Sequence, residues 1–94
     1  MEDKDLREFH KVLGLTATID ILKSIEQGRG QYKDFLQIAG VAIINRRIRQ
    51  LIDLKIIEHH FEREQKRREW YTLTKKGKRV VKAINRLEEA FLEE

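Results

Sequence analysis

Between Val41 and Leu54 the chain strings together side chains suited to hydrogen bonding with anions and with the edges of nucleic-acid bases. At helical spacing Arg46 and Arg49 point most directly outward, with Asn45 and Gln50 on their sides. A guanidinium can pair with guanine O6 and N7 in bidentate fashion, and an Asn or Gln amide can do the same for adenine. These four are the candidate base readers. Arg47 falls nearer the flank and is assigned to a phosphate. Ala42 and Ile43, at the start of the segment, are placed to meet a thymine methyl or the sugar-phosphate backbone, and a helix N-terminus itself favours a phosphate. The segment from Ala42 to Ile52 has three arginines and no acid. A second cationic group, Arg63, Lys66, Arg67 and Arg68, is interleaved with Glu62, Glu64 and Glu69. Its functional reading puts Arg67 in a minor groove and the others on phosphate. The same charges would also keep a two-stranded ribbon soluble and block edge pairing.

These side chains need a scaffold, and the apolar spacing supplies one. Ile44, Ile48 and Leu51 fall within about 60° of one another on a helix, with Ile52 on the flank, so one face is core and the other polar and basic. Upstream, Gln31 to Ala39 predicts a short helix burying Phe35 and Ile38. Ala39-Gly40-Val41 then predicts a tight turn in which Gly40 can take a positive φ. Downstream, Ile56 to Phe61 and Trp70 to Leu73 are strand-like runs around a charged tip, as in an antiparallel hairpin. In that hairpin Tyr71 and Leu73 face the core, and Trp70 packs partly against the last helix. Thr74 is placed to cap that helix.

The run Asn45-Arg-Arg-Ile-Arg-Gln-Leu51, then Ile56-Ile57-Glu58, then Tyr71-Thr-Leu-Thr-Lys-Lys-Gly77 resembles the winged helix-turn-helix regulators of the MarR, ArsR and HxlR type over roughly residues 15 to 85. The resemblance implies a mainly α fold with a small β-hairpin (α+β), in which residues 42 to 54 form the recognition helix and residues 62 to 69 the wing tip. It also implies double-stranded DNA as the partner and a homodimer as the binding species. Those families usually have Gly where this chain has Lys55. The implied organisation is a single domain with an N-terminal helical extension over residues 1–14, a winged-helix core over 15–73 and a long C-terminal dimerisation helix over 74–94.

Composition is consistent with this reading and narrows the rest. Ninety-four residues suit one domain with a modest core. No apolar run is long enough to span a bilayer and the charged N-terminus has no signal-peptide core, so an intracellular protein is expected. With no Cys there is no disulfide, thiolate metal site or cysteine nucleophile. Adjacent strand positions put His59 and His60 on opposite faces, which disfavours a shared metal. Ser24, the only Ser, reads as a polar position in a core helix. There is neither a glycine-rich phosphate loop nor a nucleophile elbow, so no enzyme, cofactor or metal is expected. The absence of Pro, with 38% charged residues, leans toward a heat-adapted source and is similar to small winged helices of hyperthermophilic archaea and their viruses.

The net charge of +4 is unevenly placed. Residues 1 to 30 hold five basic and six acidic groups, and the surplus of base lies beyond them. In the last segment Lys75, Lys76, Lys78, Arg79, Lys82 and Arg86 precede every acid, and Glu88, Glu89, Glu93 and Glu94 follow. Leu6, Phe9 and Leu13 form one stripe near the N-terminus, and Gly14 is a break. Leu15, Ile19, Leu22 and Ile25 form the next helix, in a segment that the resemblance makes the first core helix, residues 16 to 27. Val80, Ile84, Leu87 and Phe91 recur at the spacing of a coiled-coil seam, with Val81, Ala83 and Ala90 beside them. Dimerisation through this seam, with Leu6 and Phe9 of the other chain, would cover it; a helix folded back onto its own core is the other solution. Two further functions stay open, a winged helix that docks an acidic protein partner and an architectural protein that coats DNA without sequence preference.

Overall fold

Three- and four-residue apolar spacing gives way to alternation and then returns, and the computed structural model, which describes residues 3–64 and 67–94, follows that rhythm. The order is α1 (Asp3–Leu13), α2 (Thr18–Glu26), α3 (Tyr32–Phe35), α4 (Val41–Asp53), β1 (Ile57–Glu62), β2 (Arg68–Leu73) and α5 (Lys75–Leu92). The strands pair antiparallel from Ile57 opposite Leu73 to Glu62 opposite Arg68. Mainly helical with one antiparallel hairpin, this is the expected winged-helix arrangement. Among the described residues no helix is long and apolar enough to cross a membrane.

Every helix contributes to a single core, α1 through Val12 and α3 through Phe35, and α2, α4 and α5 through several residues each. Ile21, Leu22, Phe35, Ile44 and Leu51 are fully buried, joined by Ile56 and Ile57 at the start of the hairpin and by Val81 from α5. Each such aliphatic side chain stabilises the fold by roughly 1.5–3 kcal/mol relative to an exposed one. The N-terminal extension is part of this core, because Val12 is buried and the Thr18 hydroxyl donates to its carbonyl at 2.6 Å. Phe35 meets Tyr71 with ring centroids 5.7 Å apart. Burial, and after it the Glu69 carboxylate, raises the Tyr71 phenol above its ordinary value.

The junction of hairpin and last helix explains the Tyr-Thr-Leu-Thr-Lys-Lys-Gly run. The Thr74 hydroxyl accepts from the Gly77 amide at 2.9 Å as the N-cap of α5 and donates to the Lys55 carbonyl at 2.6 Å. The Thr74 amide donates to the Ile56 carbonyl at 3.0 Å. Gly77 lies so close to that carbonyl that a Cβ would stand 2.0 Å from its oxygen. One capping residue and one missing side chain thus dock α5 on the hairpin.

Several expectations are corrected. Gly40 has φ −71° and is the N-cap of α4, so this turn makes no use of a left-handed glycine. The α-helix of the upstream segment is only Tyr32–Phe35, with turns completing the path to α4. Both strands reach further into the charged tip than the apolar pattern indicated. Lys55 adopts φ 62°, the left-handed conformation in which the resembling families have Gly. A Cβ is disfavoured there by about 1–2 kcal/mol. Lys55→Gly is therefore expected to raise stability by about 1 kcal/mol, measured as a higher urea midpoint, because only the Lys55 backbone is used and its side chain is exposed.

Candidate nucleic-acid interface

The outer strip of α4 is made of Ala42, Asn45, Arg46, Arg49 and Asp53, all exposed, while Ile44, Ile48 and Leu51 anchor the opposite face in the core. Val41 is 55% exposed at the helix start. Two arginines a turn apart thus project from a helix about 10–12 Å across, a diameter that fits a major groove. Asn45 is held by the preceding helix, since the Tyr32 hydroxyl donates to its Oδ1 at 2.7 Å. Its amide nitrogen has no protein acceptor among the described residues. At the entry to α3 the Gln31 amide donates to Asp34 Oδ2 at 3.0 Å, so this acid serves the fold rather than the strip. Ile43 is half-buried and packs against the core, which leaves Ala42 as the small residue accessible at the helix start.

Arg47, assigned to a phosphate from its helical phase, is instead buried at 6% exposure. Its Nε donates to the Thr16 carbonyl at 2.8 Å and its Nη1 to Gln50 Oε1 at 3.1 Å. The chain turns through Ala17 at φ 76° directly after Thr16, so the arginine ties α4 to the turn between α1 and α2. Gln50 is half-buried and its oxygen is committed to Arg47, which removes the acceptor that bidentate pairing with adenine requires. The strip therefore carries two free arginines rather than three, with Asp53 at its far end.

In the hairpin Arg63, Arg67 and Arg68 are exposed, and Lys66 lies outside the described residues. Arg63 sits over the Phe61 ring at 5.1 Å and Arg68 over the Trp70 ring at 5.2 Å. Each contact sets an exposed guanidinium against an aromatic face of the ribbon. Arg67 makes no such contact among the described residues. His59 stacks on Tyr71 and His60 on Trp70, from opposite faces as strand parity requires. Trp70 is half-buried and lines an open cleft with Ile25, Leu73 and Val81, closed on the α5 side by Lys78 and Lys82.

The seam expected on α5 divides in two. Ile84 is buried and Val80 packs against the core of the same chain, so neither is available to a second copy as a free side chain. Phe9 is likewise packed against the core, while Leu6 is 40% exposed. Leu87, Phe91 and Leu92 stand 68%, 85% and 74% exposed. On the α2 side this helix is held by the Lys23–Glu88 ion pair and by Asn85 Nδ2 donating to Glu26 Oε2 at 3.1 Å. The last turn projects beyond that support.

Two contacts escape sequence reasoning. Nothing in the spacing of Tyr32 announces a bond to Asn45 thirteen positions on. Gly77 closes the Tyr-Thr-Leu-Thr-Lys-Lys-Gly run, but that run does not announce its close approach to the Ile56 carbonyl.

No protein-family model matches the sequence, and no curated protein matches it. Among solved structures, it is similar to one from Porphyromonas gingivalis W83 assigned to the MarR family of transcriptional regulators. The two superpose with a TM-score of 0.72 at 17% identity, over 99% of this chain and 94% of the other. The likeness spans the whole arrangement of helices and hairpin, and the fold is the winged helix-turn-helix.

Proposed function

We propose that the chain is a transcriptional regulator that binds double-stranded DNA as a homodimer, with α4 in the major groove and the β1–β2 tip beside the adjoining minor groove. The observation that carries this reading is the exposed Ala42, Asn45, Arg46 and Arg49 strip on a helix whose other face is anchored in the core. A rigid element presenting few, well-placed donors is what direct base readout needs. Arg46 and Arg49 are the principal base readers and Asn45 offers its amide nitrogen. Arg63, Lys66, Arg67 and Arg68 meet phosphate or the minor groove, with Arg67 at the tip. The fold shared with the Porphyromonas gingivalis protein, named for transcriptional regulators, supports the same role. Such a role places the protein with the genome, inside the cell.

Each subunit of the pair contributes one α4, and two-fold related half-sites lie about one helical turn, roughly 34 Å, apart. The exposed Leu87 and Phe91 supply the apolar surface that a second copy covers. Fluorescence-anisotropy titration against random-sequence and source-genome upstream duplexes at two salt concentrations tests the proposal. The expected result is tight binding to particular upstream fragments, with log affinity falling linearly in log salt. Equal affinity for all duplexes would make the protein architectural. No binding at low salt would turn the arginine strip into a surface for an acidic protein partner.

A further inference from the structure

The two side-chain amides of α4 are not free to choose which end they present. A carboxamide sets an acceptor oxygen beside a donor nitrogen, and the two together match adenine, whose N6 amino group donates while N7 accepts. In this chain both oxygens already have protein donors. Asn45 Oδ1 accepts from the Tyr32 hydroxyl at 2.7 Å, and Gln50 Oε1 accepts from Arg47 Nη1 at 3.1 Å. Arg47 is buried and tied through Nε to the Thr16 carbonyl. Tyr32 is held as well: its ring packs against the core, and it opens α3, whose entry is closed by the reciprocal capping of Gln31 and Asp34. A phenol hydroxyl donates better than it accepts, because the ring draws on the oxygen lone pair, so this bond turns the Asn45 oxygen toward Tyr32 and the nitrogen away. Asn45 is exposed beside Arg46, and it lines a shallow groove of α4 with Arg49, one turn on. Gln50 lies half-buried to the side. Up to Arg49, the polar groups that the described strip holds out are therefore donors, two guanidinium groups and one amide nitrogen. Asp53, an acceptor, is the last residue of the helix, away from the N-terminal part that meets base edges in this motif.

We propose that Tyr32 is a positioning residue that determines base specificity: by holding the Asn45 oxygen it makes α4 a donor-only reader, selective for the keto bases guanine and thymine and against adenine and cytosine. The proposal rests on the DNA-binding reading above and specifies the bases of that same site. Guanine turns O6 and N7 toward the major groove, two acceptors side by side, and thymine turns O4 there. Adenine N7 can accept from Asn45 Nδ2, but the neighbouring N6 hydrogens then face an amide whose oxygen is already engaged. Cytosine presents its N4 donor, which meets an N–H hydrogen to hydrogen. Tyr32 need touch no base to have this effect.

Selection from a library of duplexes with a randomised core, read by sequencing the bound and free fractions, gives the base preference of each variant. Asn45→Ala locates the position that Asn45 reads, as the one at which preference disappears. There the wild type is expected to favour a keto base over adenine by about tenfold. Tyr32→Phe keeps the packed ring and removes only the hydroxyl that holds the oxygen. With both ends of the amide available, adenine is expected to gain about fivefold or more against the keto bases at that position and at no other. The bond is exposed, so the urea midpoint of Tyr32→Phe is expected to stay near that of the wild type. Asn45→Asp is the converse variant. Its carboxylate still accepts from Tyr32 but has no hydrogen to donate, and preference is expected to move to cytosine at reduced affinity. A wild-type preference for adenine at this position, or a Tyr32→Phe profile identical to that of the wild type, would overturn the proposal. So would a uniform loss of affinity in Tyr32→Phe with no change of preference, which would make the bond a brace between α3 and α4. An Asn45→Ala profile that keeps every preference would overturn it too. Failure of the wild type to bind any duplex, or equal binding of all, would instead remove the sequence-specific reading on which it stands.

Discussion

Alanine at position 77 is expected to lower stability by about 3 kcal/mol or more, the largest loss from adding a single methyl group in this chain. In an exposed helix the same change would stabilise by roughly 0.5–1 kcal/mol, because Gly loses more backbone freedom on folding than Ala. Here the sign reverses. The added Cβ would stand 2.0 Å from the Ile56 carbonyl oxygen, and that oxygen is already an acceptor for the Thr74 amide. Neither group can retreat without undoing the N-cap of α5 or the entry to β1. Gly30→Ala is expected to be damaging for a related reason. Its Cβ would meet the Tyr71 carbonyl oxygen at 2.2 Å, across a close approach where the Tyr71 amide donates to the Gly30 carbonyl at 2.8 Å. Gly40→Ala is the control, since its φ is negative and nothing lies within 4 Å of the added carbon. Urea denaturation of the three variants checks the order: Gly40→Ala near the wild type, the other two far below it. A wild-type midpoint for Gly77→Ala would show that α5 does not dock through this contact.

The second large effect separates neighbouring arginines by what they do. Arg46→Ala and Arg49→Ala are each expected to weaken operator binding by about 1–3 kcal/mol and to relax preference at one base pair, with urea midpoints unchanged. Together they should raise Kd about a hundredfold or more. Arg47→Ala, one residue away, is expected to behave oppositely. It removes a buried guanidinium with bonds to Thr16 and Gln50, at a cost in stability of about 2 kcal/mol, and freed Gln50 is left without its partner. The fraction of Arg47→Ala that remains folded should bind with near-native affinity. Anisotropy titration beside denaturation reads both quantities. If Arg47→Ala lost affinity at full stability while Arg46→Ala lost nothing, α4 would have to be rotated in its groove and the assignment of base readers withdrawn.

The elements were legible because burial imposes a period on the side chains that undergo it. Ile44, Ile48 and Leu51 could be recognised as the inner face of α4, and the alternation around Tyr71 as a half-buried strand, before any contact was known. Thr74 could be placed as a cap for a similar local reason, since its partner is three residues away. The sequence also determined the polarity of charge along α5 and the exclusion of thiol chemistry, which depend on composition and order alone.

What only the tertiary structure decided involves partners distant in sequence. Helical phase put Arg47 on the flank of α4, between the two environments. A carbonyl thirty-one residues earlier, at Thr16, drew it inward. The same distance rule applies to Tyr32 on Asn45 and to Ile56 against Gly77, where the decisive atom belongs to another element. Gly40, beside an obvious turn, needed no special freedom, while Lys55 adopted the left-handed conformation without being glycine. Val80 and Ile84 share the stripe of Leu87 and Phe91, yet the domain extends far enough along α5 to bury Ile84 and partly cover Val80 while leaving the other two exposed. Periodicity reports which face of an element is apolar; how much of that face is covered depends on where the neighbouring elements end.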